Sequence, residues 1–130
     1  MTLTVTTLYV FPLVLIWFVL WIGVTSARAS LNTSIGDGGN LDLLLKIRRH
    51  GNFIEWMPLV LILMVLADAQ GTGPIWLHAA GALLVIGRVV HAFGLKKDNA
   101  AHPLRYVGNT ASLLSVAILL VALFRIVTGL

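Results

Sequence analysis

At 130 residues the chain has the length of one domain, yet 58% of it is hydrophobic, only 11% is charged, and its mean hydropathy is +0.96; a water-soluble domain this small cannot hide so much apolar surface. The formal net charge of +4 comes from a few basic residues set beside apolar stretches, which excludes the basic face of a nucleic-acid binder and points to anionic lipid or an anionic small molecule. The absence of cysteine removes disulfides, thiolate metal sites and cysteine nucleophiles together.

The first apolar stretch, about residues 9–26, is rich in Leu, Val, Ile, Phe and Trp and close to the roughly 20 residues that cross a bilayer. Residues 1–27 contain no Lys, Arg, His, Asp or Glu, so this stretch lacks the basic leader of a secretory signal and reads as a retained span. Trp17 and Trp21 lie one helical turn apart within it. A polar, glycine-containing segment, Leu31 to Asn40, abandons the apolar pattern and ends this helix.

A second helix is predicted over about 41–67. It is longer than a bare span, so its first turns, with Lys46, Arg48 and Arg49, project to the headgroups, and Pro58 should kink it. Asp68 to Pro74 form a short turn ending on a proline suited to a helical first turn, and a third helix follows over about 75–95. Lys96-Lys97-Asp98-Asn99 closes it, and a fourth span covers about 105–125.

With four spans, the first and third connections share a side. That side receives Arg28, Lys46, Arg48, Arg49, Lys96, Lys97 and Arg105, seven of the nine basic residues, whereas the middle turn has none. The positive-inside rule then puts both termini outside the cytoplasm.

Arg48, Asn52 and Glu55 are spaced i, i+4, i+7 and fall within roughly 60° of one another on one helix face. Ionisable groups in a span are costly and normally face the bundle or a wet cavity with a partner. Glu55 lies 13 residues before Asp68 and Arg88 lies 14 residues after Pro74, so antiparallel neighbours place them at similar depth and they are expected to pair. Such a pair can simply weld the two helices. Arg48, Asn52 and Arg105, nearer the basic face, form a funnel of donors suited to an anion, with interfacial anchoring as the plainer alternative. His91 shares a face with Arg88, but His50, His78, His91 and His102 are scattered without metal-ligand spacing, and no metal is expected.

The segment Arg48-Arg49-His50-Gly51-Asn52-Phe53-Ile54-Glu55-Trp56-Met57-Pro58-Leu59 carries the pattern Arg-x-x-x-Asn-x-x-Glu-x-x-Pro. It resembles the signature of the MAPEG family, the membrane-associated proteins in eicosanoid and glutathione metabolism. Gly87-Arg88-Val89-Val90-His91-Ala92-Phe93-Gly94-Leu95 is similar to the family's third-helix segment, and Arg105-Tyr106-Val107-Gly108 to the start of its fourth helix. The resemblance covers nearly the whole chain.

It implies an all-α, integral membrane four-helix subunit in a homotrimer, with glutathione held between neighbouring subunits near the cytoplasmic face. Carried over by position, Arg48, Asn52 and Glu55 become glutathione-binding residues, with Arg88, a buried third-helix arginine, and His91 completing the set. Arg105 matches the arginine that activates the glutathione thiol. The implied activity is a microsomal-type glutathione transferase conjugating the thiolate to lipophilic electrophiles, with reduction of lipid hydroperoxides as an extension. The compact length and the His50-Gly51-Asn52 variant of the motif point to a bacterial inner membrane, with both termini periplasmic by the positive-inside rule. Trp56 stands where a tyrosine often follows the glutamate, and His91 and Leu95 replace tyrosines of the leukotriene-forming members, which argues for broad detoxification. Two alternatives are a catalytically silent lipid-binding member of the same fold and a small multidrug or ion transporter.

Overall fold

The computed structural model describes residues 3–130. Four helices follow one another: α1 Thr4–Ser30, α2 Leu41–Ala69, α3 Pro74–Gly94 and α4 Pro103–Thr128. Each is long and apolar enough to cross a bilayer, and the chain is an all-α, four-span membrane bundle. α1 runs well beyond the apolar core of 9–26, because hydropathy marks where hydrocarbon begins and not where helical hydrogen bonding ends. Pro58 lies inside α2 and Pro12 inside α1, and each helix continues past its proline.

The helix ends follow local chemistry. The Asn40 side chain accepts from the Asp42 and Leu43 backbone N–H groups at 3.0 Å each, starting α2. Proline occupies the first turn of α3 and α4, where its missing N–H leaves no bond unmade. α1 has no cap of its own at Leu3. Asp68, at the far end of α2, supplies one: its Oδ2 accepts from the Thr6 N–H at 2.9 Å and the Thr6 hydroxyl at 2.8 Å. That carboxylate satisfies a first-turn donor of one helix from another, so it fixes the start of α1 beside the end of α2. At the other end, Arg28 donates to the carbonyls of Ser34 at 3.2 Å and Gly36 at 2.9 Å, gathering the 31–40 loop over the end of α1.

Leu13, Phe53, Val60, Met64, Leu77, Leu84 and Leu119 form the buried core. The outward faces carry Phe11, Leu15, Val19, Leu59, Ile62, Leu113 and Leu120, an apolar girdle suited to lipid or to other membrane-embedded protein. Trp17 stacks on Trp21 with ring centroids 6.0 Å apart.

The tightest seam is between α3 and α4, where glycines bring the two backbones together. A Cβ on Gly87 would lie 2.8 Å from the Gly108 carbonyl oxygen, and one on Gly108 would lie 2.7 Å from that of Gly87. Gly94 faces the Leu104–Arg105 backbone just as closely. Ser115 adds a hydrogen bond across the seam to the Ala80 carbonyl at 2.7 Å. In a bilayer, where no hydrophobic gain drives helix to helix, small residues and such bonds hold the pair.

Gly108→Ala is therefore expected to lower stability by about 1–3 kcal/mol, because backbone and not a flexible side chain must yield. Gly23→Ala, whose new methyl meets nothing within 4 Å, is expected to be neutral or slightly stabilising. Thermal unfolding of both variants in one detergent checks the contrast.

Candidate functional site

α2 and α4 both start at the basic end of the bundle, and α3 finishes there. Between these three helix ends lies a cleft of about 280 Å³. Its polar wall is Arg48 and Asn52 from α2, His91 from α3, and Arg105 and Asn109 from α4; Leu41, Leu44, Leu45 and Leu95 supply the apolar wall, and Lys96 and Lys97 stand at its rim. Lys97 reaches across to Asp42 with an Nζ to Oδ1 distance of 2.8 Å, joining the α3–α4 connection to the first turn of α2. Arg49, which faces away from the cleft lining, donates to the Leu95 carbonyl at 2.9 Å and so ties α2 to the end of α3.

Arg48 is exposed and Arg105 half-buried. One Arg105 nitrogen, Nη1, donates to the Ala100 carbonyl at 3.0 Å, which holds the side chain at the start of α4 and leaves its other N–H groups without an acceptor among the described residues. Asn109, one turn further along α4, has a shielded Oδ1 with no donor among the described residues. The cleft thus gathers two guanidinium groups, two amides and an imidazole, with no carboxylate in its lining. This is the donor set that selects carboxylate, thiolate or another anion.

Arg88 sits behind this wall. It is 2% exposed and does not line the cleft. Its Nη2 donates to Asn52 Oδ1 and approaches His91 Nδ1 at 3.4 Å, and its Nη1 donates to the Ser112 hydroxyl at 3.3 Å. The Ser112 hydroxyl in turn donates to the Gly108 carbonyl at 3.0 Å. The Trp56 ring covers the guanidinium, with Cζ 5.7 Å from the ring centroid, a cation–π contact.

Of the residues singled out from the sequence, Arg48, Asn52, His91 and Arg105 come together on the cleft, Arg88 supports them from behind, and Glu55 stands apart. The expected Glu55–Arg88 ion pair does not form. Glu55 instead lies 3.8 Å from Arg48 on its own helix, with both side chains more than half exposed. Counting residues from the shared turn matched the depth of Glu55 and Arg88 but carried no information on rotation. Asn52 and Trp56, at i and i+4, form the line of α2 that meets Arg88, and Glu55 is turned roughly 60° away from Asn52.

Asn109 and Ser112 were missed. Their signal was present: Arg105, Asn109 and Ser112 repeat on α4 the i, i+4, i+7 spacing of Arg48, Asn52 and Glu55 on α2.

The chain belongs to the MAPEG family, whose sequence model it matches over residues 6–125. It is 34% identical over 71 residues to the inner membrane protein YecN of Escherichia coli strain K12, an alignment covering 55% of this chain and 54% of that protein. The same figures hold for YecN of Escherichia coli O6:H1 strain CFT073. The alignment thus spans about half the length of the curated relatives it matches. No solved structure matches the chain.

An exposed, long ion pair contributes less than about 1 kcal/mol. Glu55→Gln is therefore expected to unfold close to the wild-type temperature. A loss of about 3–5 kcal/mol, the cost of stranding a buried charge, would show that Glu55 has a buried cationic partner after all.

Proposed function

We propose that this member of the MAPEG family is a membrane-bound glutathione transferase, joining the glutathione sulfur to lipophilic electrophiles at the cleft between α2, α3 and α4. One observation carries the reading: Arg48, Asn52, His91 and Arg105, drawn from three helices, converge on a single cleft whose lining holds no carboxylate. Glutathione has two carboxylates to meet guanidinium forks and a thiol that gains from a nearby cation, so the donor set fits. Its ammonium group needs an acceptor, a part suited to Glu55, which lies outside the cleft lining but 3.8 Å from Arg48.

Arg48, exposed at the mouth, is suited to gripping a carboxylate. Arg105, anchored through Ala100 and otherwise free, is suited to the sulfur. A free thiol has a pKa near about 8.5, and each unit by which a guanidinium lowers it corresponds to about 1.4 kcal/mol of thiolate stabilisation. In the reaction the thiol proton leaves to solvent, a carbon–sulfur bond forms, and the electrophile's leaving group departs or its strained ring opens. The chain contributes orientation and charge stabilisation. The electrophile arrives through the bilayer, along apolar helix faces. Lipid hydroperoxides are a second substrate class that the same thiolate serves.

A cleft of about 280 Å³ is at the lower edge of ligand pockets. The family resemblance implies a homotrimer, in which a neighbouring subunit supplies the remaining wall of this small cleft. The distribution of basic residues and the inner membrane relatives support a bacterial inner membrane location with the cleft at the cytoplasmic face.

Purified protein is expected to conjugate glutathione to 1-chloro-2,4-dinitrobenzene, followed by absorbance. Arg105→Ala should lower kcat by tenfold or more while much of the glutathione affinity remains; Arg48→Ala should chiefly raise KM for glutathione. Neither turnover nor a heat of glutathione binding would favour the silent lipid-binding alternative.

A further inference from the structure

Arg88 is the most buried charge in the bundle, at 2% exposure, and no carboxylate pairs with it among the described residues. Nor does it reach the cleft. A guanidinium has only donors, so whatever atom faces it must be an acceptor. This fixes two assignments that coordinates of heavy atoms alone leave open. The Asn52 atom toward Arg88 is then the amide oxygen, and the 3.4 Å approach of Arg88 Nη2 to His91 Nδ1 favours an unprotonated Nδ1. The neutral His91 ring then carries its proton on Nε2.

We propose that Arg88 is a positioning residue that sets the hydrogen-bond polarity of the cleft, engaging the acceptor atoms of Asn52 and His91 so that their N–H groups are left for an anionic ligand. Both side chains line the cleft, and neither the Asn52 amide N–H₂ nor His91 Nε2 has a protein partner among the described residues. Ser112 obeys the same logic on the third side. It accepts from Arg88, so its proton is directed onto the Gly108 carbonyl. Without a donor-only group at this point, Asn52 could turn its oxygen to the cleft and His91 could switch tautomer, and each would then repel a carboxylate or thiolate. Trp56, stacked over the guanidinium, shields it from one side, so its immediate partners are dipoles and a ring face and no carboxylate touches it among the described residues. A net positive potential therefore reaches the cleft through Asn52 and His91.

The part concerning glutathione rests on the function proposed above; the orientation of the network does not. The test uses the full chain in lipid nanodiscs, labelled with ¹⁵N-histidine, with the His91 resonances assigned through His91→Gln. Wild type should show His91 as the single Nε2–H tautomer. Arg88→Met should give a mixture of tautomers and raise KM for glutathione at least tenfold with a smaller change in kcat. Arg88→Lys, which keeps a donor-only cation, should preserve the tautomer, and it serves if the methionine variant does not fold. Wild-type His91 protonated on Nδ1 would overturn the proposal, as would Arg88→Met with wild-type tautomer and wild-type KM. If wild type bound no glutathione yet His91 remained the Nε2–H tautomer, the transferase reading would fall and the positioning role would stand.

Discussion

A positive charge buried among apolar helices must be surrounded by acceptors, and in this bundle that requirement organises the polar interior. An isolated ion in such surroundings costs several kcal/mol even after relaxation. Arg88 offsets part of the cost with three neutral partners, Asn52, Ser112 and His91, and one aromatic face, Trp56, while its Nε–H has no acceptor among the described residues. The partners come from α2, α3 and α4, so the relative rotation of all three helices is tied to one guanidinium. The cleft lies on the far side of two of those partners, Asn52 and His91. Stability and site are therefore built from the same hydrogen bonds.

The glycine seam makes this arrangement possible. Ser112 can reach Arg88, and the Gly108 carbonyl can take the Ser112 proton, only because Gly87 and Gly108 let the α3 and α4 backbones meet without intervening side chains. The cross-helix cap of Asp68 on Thr6 works at the opposite end of the bundle, where α1 begins without a capping residue of its own. Two polar clusters thus sit at different depths, one holding α1 to α2 and one holding α2, α3 and α4 together.

The four spans were legible because a bilayer imposes a length and an apolarity that few other constraints mimic, and the cleft residues Arg48, Asn52, His91 and Arg105 were legible through their spacing and family pattern. Helix rotation was not. Glu55 and Arg88 match in depth, and only the packed structure shows that Asn52 and Trp56 occupy the facing line of α2. Nor could composition show that Gly94 and Gly108 serve close backbone approach, since a glycine in an apolar span reads equally as a flexible point. Asn109 and Ser112 were readable in principle. A short polar stripe in a fourth span carries the same cost as one in the second, and the spacing of Arg105, Asn109 and Ser112 repeats that of Arg48, Asn52 and Glu55.

That repetition bears on how the two stripes divide their work. α2 and α4 both run from the basic end inward, and each presents an arginine first and an asparagine one turn deeper. Below the asparagines the stripes differ. On α4 the third member, Ser112, turns to Arg88 and is fully buried, whereas on α2 the third member, Glu55, stays exposed beside Arg48. The deepest member of the α4 stripe is therefore satisfied within the subunit, while the α2 stripe leaves a carboxylate and a guanidinium on an outward face in a membrane protein. Exposed charges at that depth are costly against lipid. They are better accommodated where headgroups or another polar surface meet them, so the α2 stripe is the one that looks outward for its partners.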